Sequence, residues 1–161
     1  PKVVRFLTSG GVTAFAHEYG HFLDYFFGTH VEPYKGSIAL TNGRSIATKP
    51  TGINSPMRII TDKILFSIMF NKSGREHSAY YKRLKQFVDR TQGYGDYFIR
   101  RNEIFARAFE VYVMFELKQM GITNKFLTAS KYSSMYNLKE SEIKPLVPLF
   151  RELLRHMRRC I

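Results

Sequence analysis

Apolar positions along residues 12–27 recur at helical intervals, with Val12, Phe15, Phe22 and Phe26 on one stripe and Gly28 where a helix stop is expected. The spacing predicts a helix there, opened by the turn residues Ser9, Gly10 and Gly11. Before it, residues 3–7 are β-branched and aromatic and read as a strand. Asn42-Gly43, between Ile38, Leu40 and Ile46, predicts a two-residue hairpin over residues 37–48. Ser55-Pro56 opens a helix running to about residue 70, because serine caps well and proline suits the first helical position. A further helix is expected over residues 76–90, carrying Lys82, Arg83, Lys85 and Arg90, and another over residues 102–113, rich in helix formers. Pro145 and Pro148 break or start the last helix, where Phe150, Leu153, Leu154 and Met157 form one face and Arg151, Arg155 and Arg158 the other. The pattern as a whole is α+β, mostly helical, with a small sheet or hairpin bordering the first helix.

The first helix carries His17-Glu18-Tyr19-Gly20-His21. Residues i and i+4 share a helical face, so two imidazoles project together and can bind one Zn²⁺ while the glutamate beside the first reaches the water to be activated. Burying two histidines and a glutamate without a cation would be costly. Catalytic zinc takes three protein ligands, and the best candidate for the third is Glu103. Glu103, Arg107 and Glu110 form a polar stripe at i, i+4 and i+7 on a helix whose flanks, Ile104, Phe105, Ala108, Phe109, Val111, Tyr112 and Val113, leave little for solvent. A solvated face with an ordinary ion pair is the bland alternative, but a polar stripe on a mostly buried helix more often faces a site. An oxyanion needs a donor besides the metal, and the loop before this helix offers two tyrosines beside glycines: Tyr97 is preferred, with Tyr94 behind it.

HEYGHFLDY followed by NEIFARAFEVYV resembles the large polyvalent-protein-associated domain that is first of its series, a zincin-type metallopeptidase domain of very large phage and conjugative-element proteins. Residues 3–8 resemble that family's strand, and residues 124–138 with the final amphipathic helix its C-terminal part; about residues 30–90 carry no matching motif. The same two helices are similar to those of the anthrax lethal factor peptidase group, whose third zinc ligand corresponds to Glu103. The resemblance implies a zincin-like, gluzincin-type site with His17, His21 and Glu103 as zinc ligands and Glu18 as general base. Asp24, on the same helical face, would accept the free ring N–H of a ligand histidine, and Arg107 and Glu110 would support the ligands from behind. The family often carries tryptophan around these motifs; this chain has none, and Tyr19 and Tyr97 stand in its place. In zincins the strand before the metal helix pairs with extended substrate, although the sequence allows an interior strand equally.

With 161 residues, 44% hydrophobic and 15% aromatic, residues 1–161 are expected to form one domain with a real core, excised from a longer protein. Asp62 and Lys63 interrupt the best apolar run, so no membrane segment is expected. The single cysteine, Cys160, excludes an internal disulfide and suits the cytoplasm; the resemblance adds delivery into a host cell by a phage or conjugative element. A net charge of +12 favours acidic peptides or polyanions, nucleic acid included, although solvated faces account for most of it.

Two functions follow. One is a zinc-dependent endopeptidase acting on its own polyprotein or on a host protein; the other is an inactive zincin-like module contacting DNA or protein. Intact Glu18 favours the enzyme, because a structural zinc needs no general base.

Overall fold

In the computed structural model the order of elements is α1 (Phe15–Phe26), a wide π-turn (Phe27–Val31), α2 (Pro56–Met69), α3 (Ala79–Arg90), a 3₁₀ turn (Tyr97–Ile99), α4 (Arg101–Gln119), α5 (Glu140–Ile143), a 3₁₀ turn (Lys144–Leu146) and α6 (Val147–Arg158). The structure describes residues 15–91, 93, 95–128 and 133–161. The expected strand at residues 3–7, the Ser9-Gly10-Gly11 turn, Val12 and Tyr94 lie outside the described residues.

The central element is α4, whose residues from Arg101 to Tyr112 are all buried. One side of it takes α1 and the other α6, where Phe105, Phe109 and Tyr112 meet Phe150, the last ring stacked at 4.9 Å. Beneath them α2 contributes Ile60, Ile64, Leu65 and Ile68 to the same apolar cluster, which also takes in Leu84 of α3. On α6, Phe150, Leu153 and Met157 point inward and Arg151, Arg155 and Arg158 outward, as the amphipathic pattern requires. No helix among the described residues is long and apolar enough to cross a membrane.

The buried face of α1 is not the expected aromatic stripe. Ala16, Gly20, Leu23 and Phe27 are buried, while Phe15, Phe22 and Phe26 are half-buried and stack with Tyr19 along one flank at ring separations of 5.4–5.7 Å. Small residues win the interface because they let the helices close. A Cβ on Gly20 would sit 3.2 Å from Ala106 Cα, so α1 and α4 meet nearly backbone to backbone.

Gly28 also differs from expectation. It does not stop the helix; the chain winds on through it into the Phe27–Val31 turn. A Cβ there would lie 2.5 Å from Ala39 Cα, so glycine is needed for close approach.

No strand occurs among the described residues, only isolated bridges between Tyr34 and Ser37 and between Phe70 and His77. The hairpin expected over residues 37–48 does not form, although Asn42 and Gly43 do adopt the positive φ of its turn, 69° and 61°. The reason lies in who takes the backbone groups. Arg101 donates through Nε to Thr41 O at 2.5 Å and through Nη1 to Ala47 O and Lys49 O, while its own N–H bonds Ser45 O. Asn102 N–H takes Gly43 O. From the other side Arg58, fully buried, donates to Gly28 O, Glu32 O and Ala39 O. Carbonyls that strands would pair are thus spent on two arginines, which fix the segment as an ordered loop.

Helix starts follow the same logic. Ser55 occupies the cap position of α2, but the Glu32 carboxylate accepts the Met57 and Arg58 N–H groups and the Ser55 hydroxyl, bringing negative charge to the helix N-terminus. α3 begins at Ala79, three residues later than expected, where the Ser78 hydroxyl accepts from Tyr81 N.

Candidate metal centre

Close packing at Gly20 and Ala106 sets the faces of α1 and α4 against one another, and it is there that three potential ligands meet. His21 Nε2 lies 3.3 Å and His17 Nε2 3.6 Å from the Glu103 carboxylate, and the ligand atoms of all three lie within 4.8 Å of one another. The side chains of His17, His21 and Glu103 are only 15%, 18% and 7% exposed. A tetrahedral ion with bonds of ~2.0–2.2 Å separates its ligands by about 3.3–3.6 Å, and the two histidine–Glu103 distances fall in that range. They are long for hydrogen bonds, and Glu103 Oε2 is buried with no hydrogen-bond partner. Two imidazoles and a carboxylate arranged in this way could hold a metal ion, and the donor set suits zinc.

Burial alone would push the Glu103 carboxyl up. The approach of His17, His21 and the Tyr97 hydroxyl outweighs this and holds it well below the usual carboxylate range. The carboxylate is therefore ionised, as a ligand must be.

The polar stripe of α4 is buried as a unit: Glu103, Arg107 and Glu110 all face inward. Arg107 Nη1 lies 3.8 Å from Glu103 Oε2, its Nη2 donates to Phe98 O, and the guanidinium lies 5.2 Å from the Phe98 ring centroid. Glu110 Oε2 stands 3.8 Å from His17 Nδ1, behind the ring and away from Glu103.

Asp24 is not where the resemblance put it. Both its oxygens are taken by Thr41, accepting the backbone N–H at 2.9 Å and the hydroxyl at 2.7 Å, so it does not receive a histidine N–H, and His21 Nδ1 has no hydrogen-bond partner. Glu110 is the carboxylate that stands behind His17 instead. Asp24 points to the 39–43 loop because it lies on the buried side of α1, where desolvation raises its carboxyl to about 6 despite the Thr41 bonds.

Glu18 is half-buried beside His17, and its charge reaches Tyr97. Tyr97, in the turn that leads into α4, is at the limit of exposure, and its hydroxyl is pushed up to about 12 by burial and by the charge and hydrogen bonding of Glu103. His17, Glu18, His21, Tyr97, Glu103, Arg107 and Glu110 are thus drawn to one place, and Asp24 is held off it.

Tyr25 was not singled out from sequence. It lies one turn beyond His21 on the same face, with its hydroxyl 3.5 Å from Asn102 Nδ2 and within electrostatic reach of Glu103. Its i+4 spacing from His21 was the available signal. Arg58 and Arg101 were missed as well; an arginine amid Met57, Ile59 and Ile60 is the trace that such a buried group leaves.

Residues 89–159 match the family model described as large polyvalent protein-associated domain 1. The match takes in α4 with Glu103, Arg107 and Glu110, and ends just past α6; α1 and its histidines lie before it. No curated protein and no solved structure matches the chain.

Proposed function

We propose that this is a zincin-like, zinc-dependent metallopeptidase that hydrolyses peptide bonds with Glu18 as general base. The observation that carries the reading is the convergence of the two HExxH histidines on a buried, ionised glutamate, one of whose oxygens has no hydrogen-bond partner. Zinc held by His17, His21 and Glu103 would polarise the scissile carbonyl and acidify a water.

Glu18, beside the first histidine and half-open to solvent, takes the proton from the attacking water and delivers it to the leaving amine. Tyr97 keeps its proton through the working pH range, because its hydroxyl titrates only near 12, and donates a hydrogen bond to the carbonyl oxygen as charge develops. Arg107 holds the Glu103 carboxylate in place, and Glu110 orients the His17 ring. A peptide or protein is the substrate. The polyvalent-protein match and the single exposed cysteine suit action in a host-cell cytoplasm after delivery by a phage or conjugative element.

The test compares wild type with Glu18→Gln for cleavage of a mixed peptide library and for zinc content. Cleavage should fall at least ~10²-fold with zinc unchanged. Cleavage that survives the substitution removes Glu18 from its role. Zinc binding without cleavage in either protein makes the domain a binding module for protein or nucleic acid.

A further inference from the structure

A pocket of about 480 Å³ lies between α1 and the 36–44 loop, walled by Tyr25, Ser37, Ile38, Asn42, Gly43 and Arg44. Its volume falls within the range of ligand-binding clefts. Tyr25 ties it to the site: four residues beyond His21 on the same helical face, about 6 Å along the axis, with a hydroxyl that feels the charges of both Glu103 and Arg44. Asn102, which contacts that hydroxyl, is the residue before Glu103.

The far wall is unusually well fixed for a loop. Gly43 N–H bonds the Thr41 hydroxyl at 3.1 Å, and Gly43 O takes the Asn102 N–H at 3.1 Å, which fastens it to the first turn of α4. Thr41 is clamped by Asp24, and its carbonyl by Arg101; Ala39 O and Ser37 Oγ are held by Arg58. Three charged side chains exposed by no more than 1% are therefore spent on locking this wall. Arg44, mounted on it, is exposed, and no carboxylate among the described residues pairs with it. A locked wall presenting an unpaired guanidinium beside a reaction centre is the arrangement that recognises an anionic group.

We infer that the Tyr25–Arg44 pocket is the specificity subsite of the centre and that Arg44 reads a carboxylate of the peptide next to the scissile bond. The inference rests on the peptidase reading for its role. That carboxylate is supplied by a Glu or Asp side chain or by the peptide's own C-terminus. The chain's net charge of +12 draws such substrates from a distance.

The test is binding, read by fluorescence anisotropy on the metal-free protein at low salt. Three labelled peptides share one sequence: an amidated form with a central Glu, its amidated Gln twin, and the Gln form with a free C-terminal carboxylate. Wild type should bind one carboxylate-bearing form about five-fold more tightly than the amidated Gln twin. The preference identifies the source as side chain or terminus. Arg44→Ala should abolish it, and Arg44→Glu should reverse it in favour of the amidated Gln twin; both variants should keep the wild-type circular dichroism, since Arg44 is exposed. Equal affinity for all three peptides in wild type, or a preference retained in Arg44→Ala, overturns the assignment. The peptidase reading fails separately: zinc-loaded protein would then cleave none of the peptides while the Arg44-dependent preference stands.

Discussion

Asp24 accepts both the backbone N–H and the hydroxyl of Thr41, and by this pair of bonds α1 holds the loop that faces it. A carboxylate on the histidine-bearing helix thereby anchors a wall rather than a ligand. Its energetics are testable through pH. Desolvation by complete burial raises the Asp24 carboxyl to about 6 from 3.8, so the folded protein holds this proton more tightly than the unfolded chain. The associated stability is fully present below pH 3.8 and is lost as pH rises through about 6. In urea denaturation of the metal-free protein, wild type should lose about 1 kcal/mol more than Asp24→Asn between pH 5 and 7.5. Parallel pH profiles would show that Asp24 does not titrate in this way.

Gly28→Ala should destabilise the fold by roughly 1–3 kcal/mol. The atoms a methyl group would meet, at 2.5 Å, are backbone atoms of Ala39 and Leu40, which no rotamer change can move aside. A thermal melting midpoint equal to that of wild type would contradict the close approach of the turn to the loop.

Glu110→Gln should weaken zinc binding about ten- to a hundred-fold, as loss of a carboxylate behind a ligand histidine commonly does. Competition against a chelating dye reads the affinity, and circular dichroism reads the fold. Unchanged affinity would mean that the 3.8 Å approach of Glu110 to His17 Nδ1 has no hold on the ring.

Tyr97→Phe removes one hydroxyl from the turn before α4. Cleavage should slow about 10²-fold in kcat with KM and zinc content little altered, because the hydrogen bond is made to charge that develops only during reaction. A rise in KM at constant kcat would reassign Tyr97 to substrate binding.

What could be read in the sequence follows the range of the interactions involved. The i, i+4 spacing of His17 and His21 is local helical geometry, and the buried stripe of Glu103, Arg107 and Glu110 was visible because its flanks are apolar; the two meet as the spacing suggested. The amphipathic face of α6 was legible for the same reason. The hairpin was not, because Asn42-Gly43 specifies a turn while the fate of its flanks was decided by Arg58 and Arg101, 19 and 60 residues away from the carbonyls they hold. Gly28 misled similarly: a glycine near a helix end reads as a stop, and only the neighbouring backbone reveals that the missing atom is Cβ. Asp24 has the right helical phase for a histidine partner, but phase does not say that Thr41 will reach it first.

The central claim, that His17, His21 and Glu103 bind a catalytic metal, is tested most directly by zinc stoichiometry. Elemental analysis of the purified, zinc-reconstituted protein should give one zinc per chain in wild type and a marked loss in both His17→Ala and Glu103→Ala. Absence of zinc from reconstituted wild type, or full retention in Glu103→Ala, would contradict the account.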